Sequence, residues 1–206
     1  MALFGVVVVA VWSAQAAAGA RGCPITAQAV YAVDQTSGTV LCAKNASMRL
    51  HPASTVKLMT ALVVLDRKDP AEKVPVSARA AGVEPTKAGL AAGTSYSVAE
   101  LLEVLLVASA NDAAVALAEA VAGSEEDFAA LMNGKARELG MRESHFTNAT
   151  GLPNRSQKTS ARDLAILTSA AFRQPFIKTV MAKKRATITG SDGRTIRRLN
   201  HNKLLW

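Results

Sequence analysis

Ser54-Thr55-Val56-Lys57 is the only Ser-x-x-Lys in the 206-residue chain, and it opens an apolar run of Val56, Leu58, Met59, Leu62, Val63 and Leu65. A serine hydroxyl is a weak nucleophile until a base takes its proton. Lysine can be that base only where burial and nearby positive charge depress its pKa. The run is apolar on nearly every side, as in a buried helix, and Pro52 suits the first turn of one. Residues at i and i+3 share a helix face, so Lys57 can bring its amine to Ser54, while N–H groups at the helix start can meet a developing oxyanion. That combination suits acyl transfer. Taken alone the motif is weak: about one chance match is expected in a chain of this length, and a capping serine with an exposed lysine would look the same.

Ser109-Ala110-Asn111 is the only Ser-x-Asn, and it falls at a break between two apolar stretches. A plain interhelical turn with a capping serine is the competing reading. Both motifs at buried helix boundaries, in this order, are jointly much less probable by chance than either alone.

The surrounding pattern says what must position them. Ala29–Val33 and Thr39–Cys42 flank a turn at Asp34–Gly38 and read as a hairpin. Asp66–Tyr96 reads mainly as loop, with room for a short strand at Val74-Pro75-Val76. Ser97 and Glu100 form a capping box before a helix through Val107, and a third helix is expected from about Asp112 to Val121, closed by Gly123. Ser124 opens a helix that ends at Gly140, Ser144–Thr159 is loop-like, and Ser160 with Asp163 caps a helix through Phe172. Arg185–Ile196 reads as a hairpin turning at Ser191-Asp192-Gly193. Strands, then helices, then strands predict an α+β domain whose helices cover an antiparallel sheet.

Half the residues are apolar but only 4% are aromatic, so the core must be built mainly from Ala, Val and Leu. The net charge of +8 attracts anionic polymers without choosing among them, and the basic residues between Lys183 and Arg198 carry no interleaved aromatics for base stacking. His51, His145 and His201 are scattered and no cluster has metal-ligand spacing, so neither a metal nor a cofactor is expected. Leu3–Trp12 is too short an apolar run to span a membrane, and it is followed by Ala14-Gln15-Ala16 and Ala18-Gly19-Ala20. Residues 1–20 therefore read as a signal peptide without a basic start, a buried N-terminal strand being the other reading. Cys23 and Cys42 could pair in an oxidising compartment, but along a regular hairpin Cys23 falls several residues beyond reach of Cys42, which argues against it.

With Pro52–Thr60, Ser109–Ala114, Phe146–Pro153, Ser160–Ala165 and Asn200–Leu205 read together, the chain from about Ala27 onward resembles the serine D-alanyl-D-alanine carboxypeptidases, low-molecular-mass penicillin-binding proteins of the peptidase S11 family. The resemblance implies the serine β-lactamase/penicillin-binding-protein fold over residues 21–206. It also implies Ser54 as acylated nucleophile, Lys57 as proton acceptor, Ser109 as proton relay and Asn111 as substrate partner. The implied partners are peptidoglycan stem peptides ending in D-Ala-D-Ala and β-lactam antibiotics, met outside the cytoplasmic membrane, with peripheral membrane association and no nucleic acid. The family's third motif, Lys-Thr-Gly, is absent: Lys158-Thr159-Ser160 leads into a helix, and Thr189-Gly190 lacks the lysine. The expectation is a chain that stops short of that motif and its last strands, and turns over poorly as written. A β-lactamase, a wall endopeptidase and a non-catalytic peptidoglycan-binding remnant are the alternatives, the first disfavoured by the lack of a convincing glutamate to activate water.

Overall fold

The computed structural model describes residue 23 and residues 25–206; the segment read as a signal peptide lies outside the described residues. At the centre is α1 (Lys57–Leu65), where Met59, Ala61, Leu62, Val63 and Val64 are all buried. A helix that is apolar all round must be enclosed by others. Here the enclosing elements are α3 (Val98–Ala108), α4 (Asn111–Ala122), α5 (Glu125–Glu138) and α6 (Ala161–Phe172).

The helix starts follow their caps. Ser97 Oγ accepts from Glu100 N at 3.2 Å while Glu100 Oε2 accepts from Ser97 N at 2.8 Å. Ser124 and Ser160 accept from Asp127 N and Asp163 N at 3.0 and 3.1 Å. Each side-chain oxygen satisfies an N–H that has no partner within its helix.

Among the described residues three antiparallel ribbons surround this helical core: β1 (Val30–Val33) with β2 (Val40–Lys44), β3 (Lys73–Pro75) with β4 (Ser95–Ser97), and β5 (Arg185–Thr189) with β6 (Thr195–Leu199). In β5, Ala186 and Ile188 are buried and the residues between them exposed, the period of two expected of a strand laid on a helix. The outer edge of β5 bonds to α3 instead of another strand: Glu103 and Glu100 accept from Thr187 N and Thr189 N at 3.1 and 3.0 Å.

The stretch from Asp66 to Tyr96 carries more structure than its composition suggests. It holds β3, most of β4 and the five-residue α2 (Ala78–Gly82), elements too short to show a period. A further helix, α7 (Pro175–Met181), follows α6 with Pro at its first position. The cysteine expectation is corrected as well. Cys23 and Cys42 are disulfide-bonded with Cα atoms 5.7 Å apart. A regular first strand would run straight back toward Cys23, whereas β1 begins only at Val30 and the chain bends before it at Ala27-Gln28. Lys44 Nζ holds it there by donating to Ile25 O at 3.1 Å, and Asn45 Nδ2 by donating to Gln28 O at 2.9 Å.

Candidate active site

Ser54 lies in a 3₁₀ turn, Ala53–Val56, that runs directly into α1 at Lys57. The expected single helix is thus tighter at its start, and the difference helps the pair. In a 3₁₀ turn residues i and i+3 eclipse, so the lysine stem stands over the serine. Lys57 Nζ reaches Ser54 Oγ at 3.2 Å and donates to the Thr150 carbonyl at 2.6 Å. Ser54 is exposed, whereas Lys57 is only 3% exposed. Burial alone lowers the Lys57 pKa to about 8. The nearby positive charge expected alongside burial makes no contribution among the described residues.

Thr150 belongs to a turn built from side chains. Asn148 Oδ1 accepts from Gly151 N at 2.8 Å and from Thr150 Oγ1 at 3.1 Å, and Asn148 Nδ2 donates to Leu152 O at 3.1 Å. From α1, buried Thr60 donates to Ala149 O at 2.8 Å. From α5, Glu125 Oε1 accepts from Ala149 N at 3.1 Å while its other oxygen pairs with Arg79 at 2.9 Å. Gly151 has φ +84° and lies so close to Ser54 that a Cβ there would stand 2.0 Å from Ala53 O and 2.9 Å from Ser54 N. Only glycine admits this approach. The turn therefore touches Lys57 through a carbonyl and Ser54 through its backbone.

Ser109 ends α3 in the left-handed region at φ +56°, and Asn111 begins α4. Asn111 is buried; its Nδ2 donates to Glu84 O at 2.9 Å and its backbone N to Thr86 O at 2.7 Å. Asp112 beside it is fully buried and accepts from Ala88 N, Gly89 N and Leu90 N at 2.9, 2.7 and 3.0 Å, and from Ala113 N at 3.0 Å. The carbonyls of the same loop are gripped from the β5–β6 ribbon: Arg198 donates to Ala88 O at 2.5 Å and Arg194, at its turn, to Gly89 O at 2.8 Å. Loop 84–90 is thus stretched between the Ser-x-Asn segment and β6.

Of the residues singled out in the sequence, Ser54 and Lys57 are brought into direct contact. Ser109 and Asn111 sit at the α3–α4 junction, and α4 packs on α1, but no hydrogen bond joins them to Ser54 or Lys57 among the described residues. Asn148, Thr150, Gly151 and Asp112 lie in stretches that carry the sequence resemblance, but the sequence assigns none of them a role. The signal was present in Asn148-Ala149-Thr150-Gly151, where an Asn three residues before a Gly suggests a side-chain-closed turn. A surface cavity of about 470 Å³, lined in part by Asn133, Arg137, Arg142 and His145, includes none of the four predicted residues. No group of three metal-ligating side chains occurs among the described residues.

An exposed serine against a buried lysine, framed by these helices and ribbons, has the fold of the penicillin-binding DD-peptidases. The crystal structure of a D-alanyl-D-alanine carboxypeptidase from Mycobacterium tuberculosis H37Rv superposes with a TM-score of 0.85 at 31% identity, covering 94% of this chain and 73% of that one. The Streptomyces K15 DD-transpeptidase gives 0.82 at 29% identity, with 90% and 77% covered. The family model for D-alanyl-D-alanine carboxypeptidase, peptidase S11, matches residues 13–206, and the chain belongs to that family. Among curated relatives, D-alanyl-D-alanine carboxypeptidase DacC of Escherichia coli K12 is 37% identical over 194 residues, 88% of this chain and 47% of the relative. DacF of Bacillus subtilis strain 168 is 39% identical over 146 residues, 68% and 38% of the two chains. The chain spans less than half the length of those two relatives.

Proposed function

We propose that residues 21–206 form the acylating part of a serine D-alanyl-D-alanine carboxypeptidase acting on peptidoglycan stem peptides. The observation that carries this is the Ser54 Oγ–Lys57 Nζ contact of 3.2 Å, made by an amine buried enough for its pKa to fall to about 8. Neutral Lys57 takes the Ser54 proton as Oγ adds to the carbonyl carbon of the terminal D-Ala-D-Ala bond. The backbone N–H of Ser54, at the start of the helical segment, is the donor we assign to the oxyanion. The C–N bond then breaks, D-alanine leaves with a proton relayed through Ser109, and the peptide remains as an ester on Ser54. Asn111 hydrogen-bonds the peptide through the part of its amide not engaged by Glu84. Water hydrolyses the ester. A β-lactam acylates Ser54 by the same addition.

The group over Lys57 is a backbone carbonyl, and no glutamate bonds to the Ser54–Lys57 pair among the described residues. The carboxylate bound to the same turn, Glu125, is already engaged by Ala149 N and Arg79. This favours a slowly deacylating peptidase over a β-lactamase. A disulfide persists in an oxidising compartment, so the Cys23–Cys42 bridge supports export, with residues 1–20 as the signal peptide.

Fluorescent penicillin followed by peptide mapping tests the assignment. Slow labelling of Ser54, absent from Ser54→Ala, together with slow release of D-alanine from a pentapeptide, is expected. Folded protein that takes up no label at Ser54 rejects it.

A further inference from the structure

Gln157 takes no part in the chemistry above, yet it is 1% exposed and uses both ends of its amide. Its Oε1 accepts from Thr147 N at 3.0 Å and from Asn148 N at 3.2 Å. Two N–H donors converging on one atom require an oxygen there, which fixes the orientation of the amide. Nε2 then faces Asn148 Oδ1 and Leu152 O, both at 3.4 Å, at the long end of hydrogen bonding. Gln157 itself is held on both sides in sequence. Its N donates to Asn154 O at 3.1 Å, and the next residue, Lys158, exchanges backbone bonds with His145 at 2.8 and 2.9 Å.

We infer that Gln157 is a positioning residue for the Ser54–Lys57 pair: through Asn148 it fixes the turn that lays the Thr150 carbonyl on Lys57 and Gly151 against Ser54. The inference rests on the acyl-enzyme reading for its functional consequence, though not for its geometry. The turn has no ladder of its own. Its backbone groups are satisfied by side chains, and Gln157 alone supplies the acceptor for the N–H groups of Thr147 and Asn148. Without it those donors must find water, the Asn148 side chain loses one anchor, and only the Thr60 and Glu125 bonds to Ala149 are left to keep the Thr150 carbonyl over Lys57. Water that replaces the turn solvates the ammonium better than one carbonyl and an apolar wall do, so the Lys57 pKa moves back toward 10.5.

The test uses the folded 206-residue chain with ¹³C-labelled lysine, the Lys57 signal being assigned by its loss in Lys57→Arg. In the parent Lys57 is expected to titrate near 8. In Gln157→Met the midpoint is expected to rise by about one unit or more, and acylation by fluorescent penicillin at pH 7 to slow about ten-fold, in step with the smaller neutral fraction. Ser160→Ala, which removes the cap of α6, is the control for a merely structural loss: it should lower stability and leave the Lys57 midpoint in place. If Gln157→Met does not fold, Asn148→Ala breaks the next link and should give the same shift. An unmoved Lys57 midpoint in a folded variant overturns the inference. Failure of the parent to be acylated rejects the acyl-enzyme reading instead, while the lysine titration still decides the role of Gln157.

Discussion

The rate of Ser54 acylation should rise with pH and level off just above the Lys57 pKa, because only the neutral amine can accept the serine proton. With a pKa of about 8, roughly 10% of the lysine is neutral at pH 7; at the ordinary 10.5 the fraction would be about 0.03%. Burial therefore raises the supply of base by about 300-fold, equivalent to ~3 kcal/mol. The same shift has an opposite effect on folding. A lysine depressed in the folded state binds its proton less tightly than in the unfolded chain, so the destabilisation is fully present below pH 8 and disappears as pH rises from 8 to 10.5. Relative to Lys57→Met, the parent should gain about 2.5 kcal/mol of stability between pH 7 and pH 10. Stopped-flow acylation by a fluorescent penicillin from pH 5.5 to 9.5, with urea unfolding of both proteins at the two pH values, measures both arms. The expected profile climbs about ten-fold per pH unit at its foot and flattens near pH 9. An acylation rate that is flat or falling between pH 6 and 9 would refute the claim that Lys57 is the base, and a constant stability difference would refute its depressed pKa.

Gly151→Ala should destabilise the fold by about 2 kcal/mol or more and abolish Ser54 labelling, because the added Cβ meets Ala53 O at 2.0 Å from a backbone at φ +84°; unchanged urea midpoint and labelling would show that the turn does not abut Ser54. Asp112→Asn should cost about 2 kcal/mol or more, since an NH₂ group would face two N–H donors where a carboxylate oxygen now accepts them, and hydrogen exchange over residues 86–90 should accelerate. Equal exchange in parent and variant would show that Asp112 does not hold that loop.

The parts of this site that are legible in the sequence are those whose physics is local. Ser54 and Lys57 are three residues apart and meet through one turn, and the caps at Ser97, Ser124 and Ser160 each bond within three residues. What the sequence hides depends on partners far along the chain. Asp112 reads as a turn residue, but the amides it holds are 22 to 24 residues earlier. The carbonyl on Lys57 is 93 residues away, and a carbonyl leaves no mark in composition, since every residue has one. The ribbon of β3 and β4 pairs three residues with three across a stretch without a period. Cys23 meets Cys42 only because the chain bends before β1, a bend that depends on tertiary contacts of Lys44 and Asn45.

Three non-glycine residues among those described have left-handed backbones, and two of them, Ala53 and Ser109, adjoin or belong to the proposed machinery. Such a conformation costs on the order of 1–3 kcal/mol and persists only where its surroundings over-determine it. Buried Lys57, Asn111 and Asp112 add desolvation to that cost. Both loads fall on the helical half of the molecule, on α1, α4 and the two loops bound to them. There the apolar core around α1 is continuous, and the loop polar groups are matched by Thr60, Glu125, Gln157 and Asp112. The Ser54–Lys57 contact is therefore a property of this helical unit. The β5–β6 ribbon acts on the site at one remove, through the grip of Arg198 and Arg194 on Ala88 O and Gly89 O, and so bears on where Asn111 sits rather than on whether Lys57 is neutral.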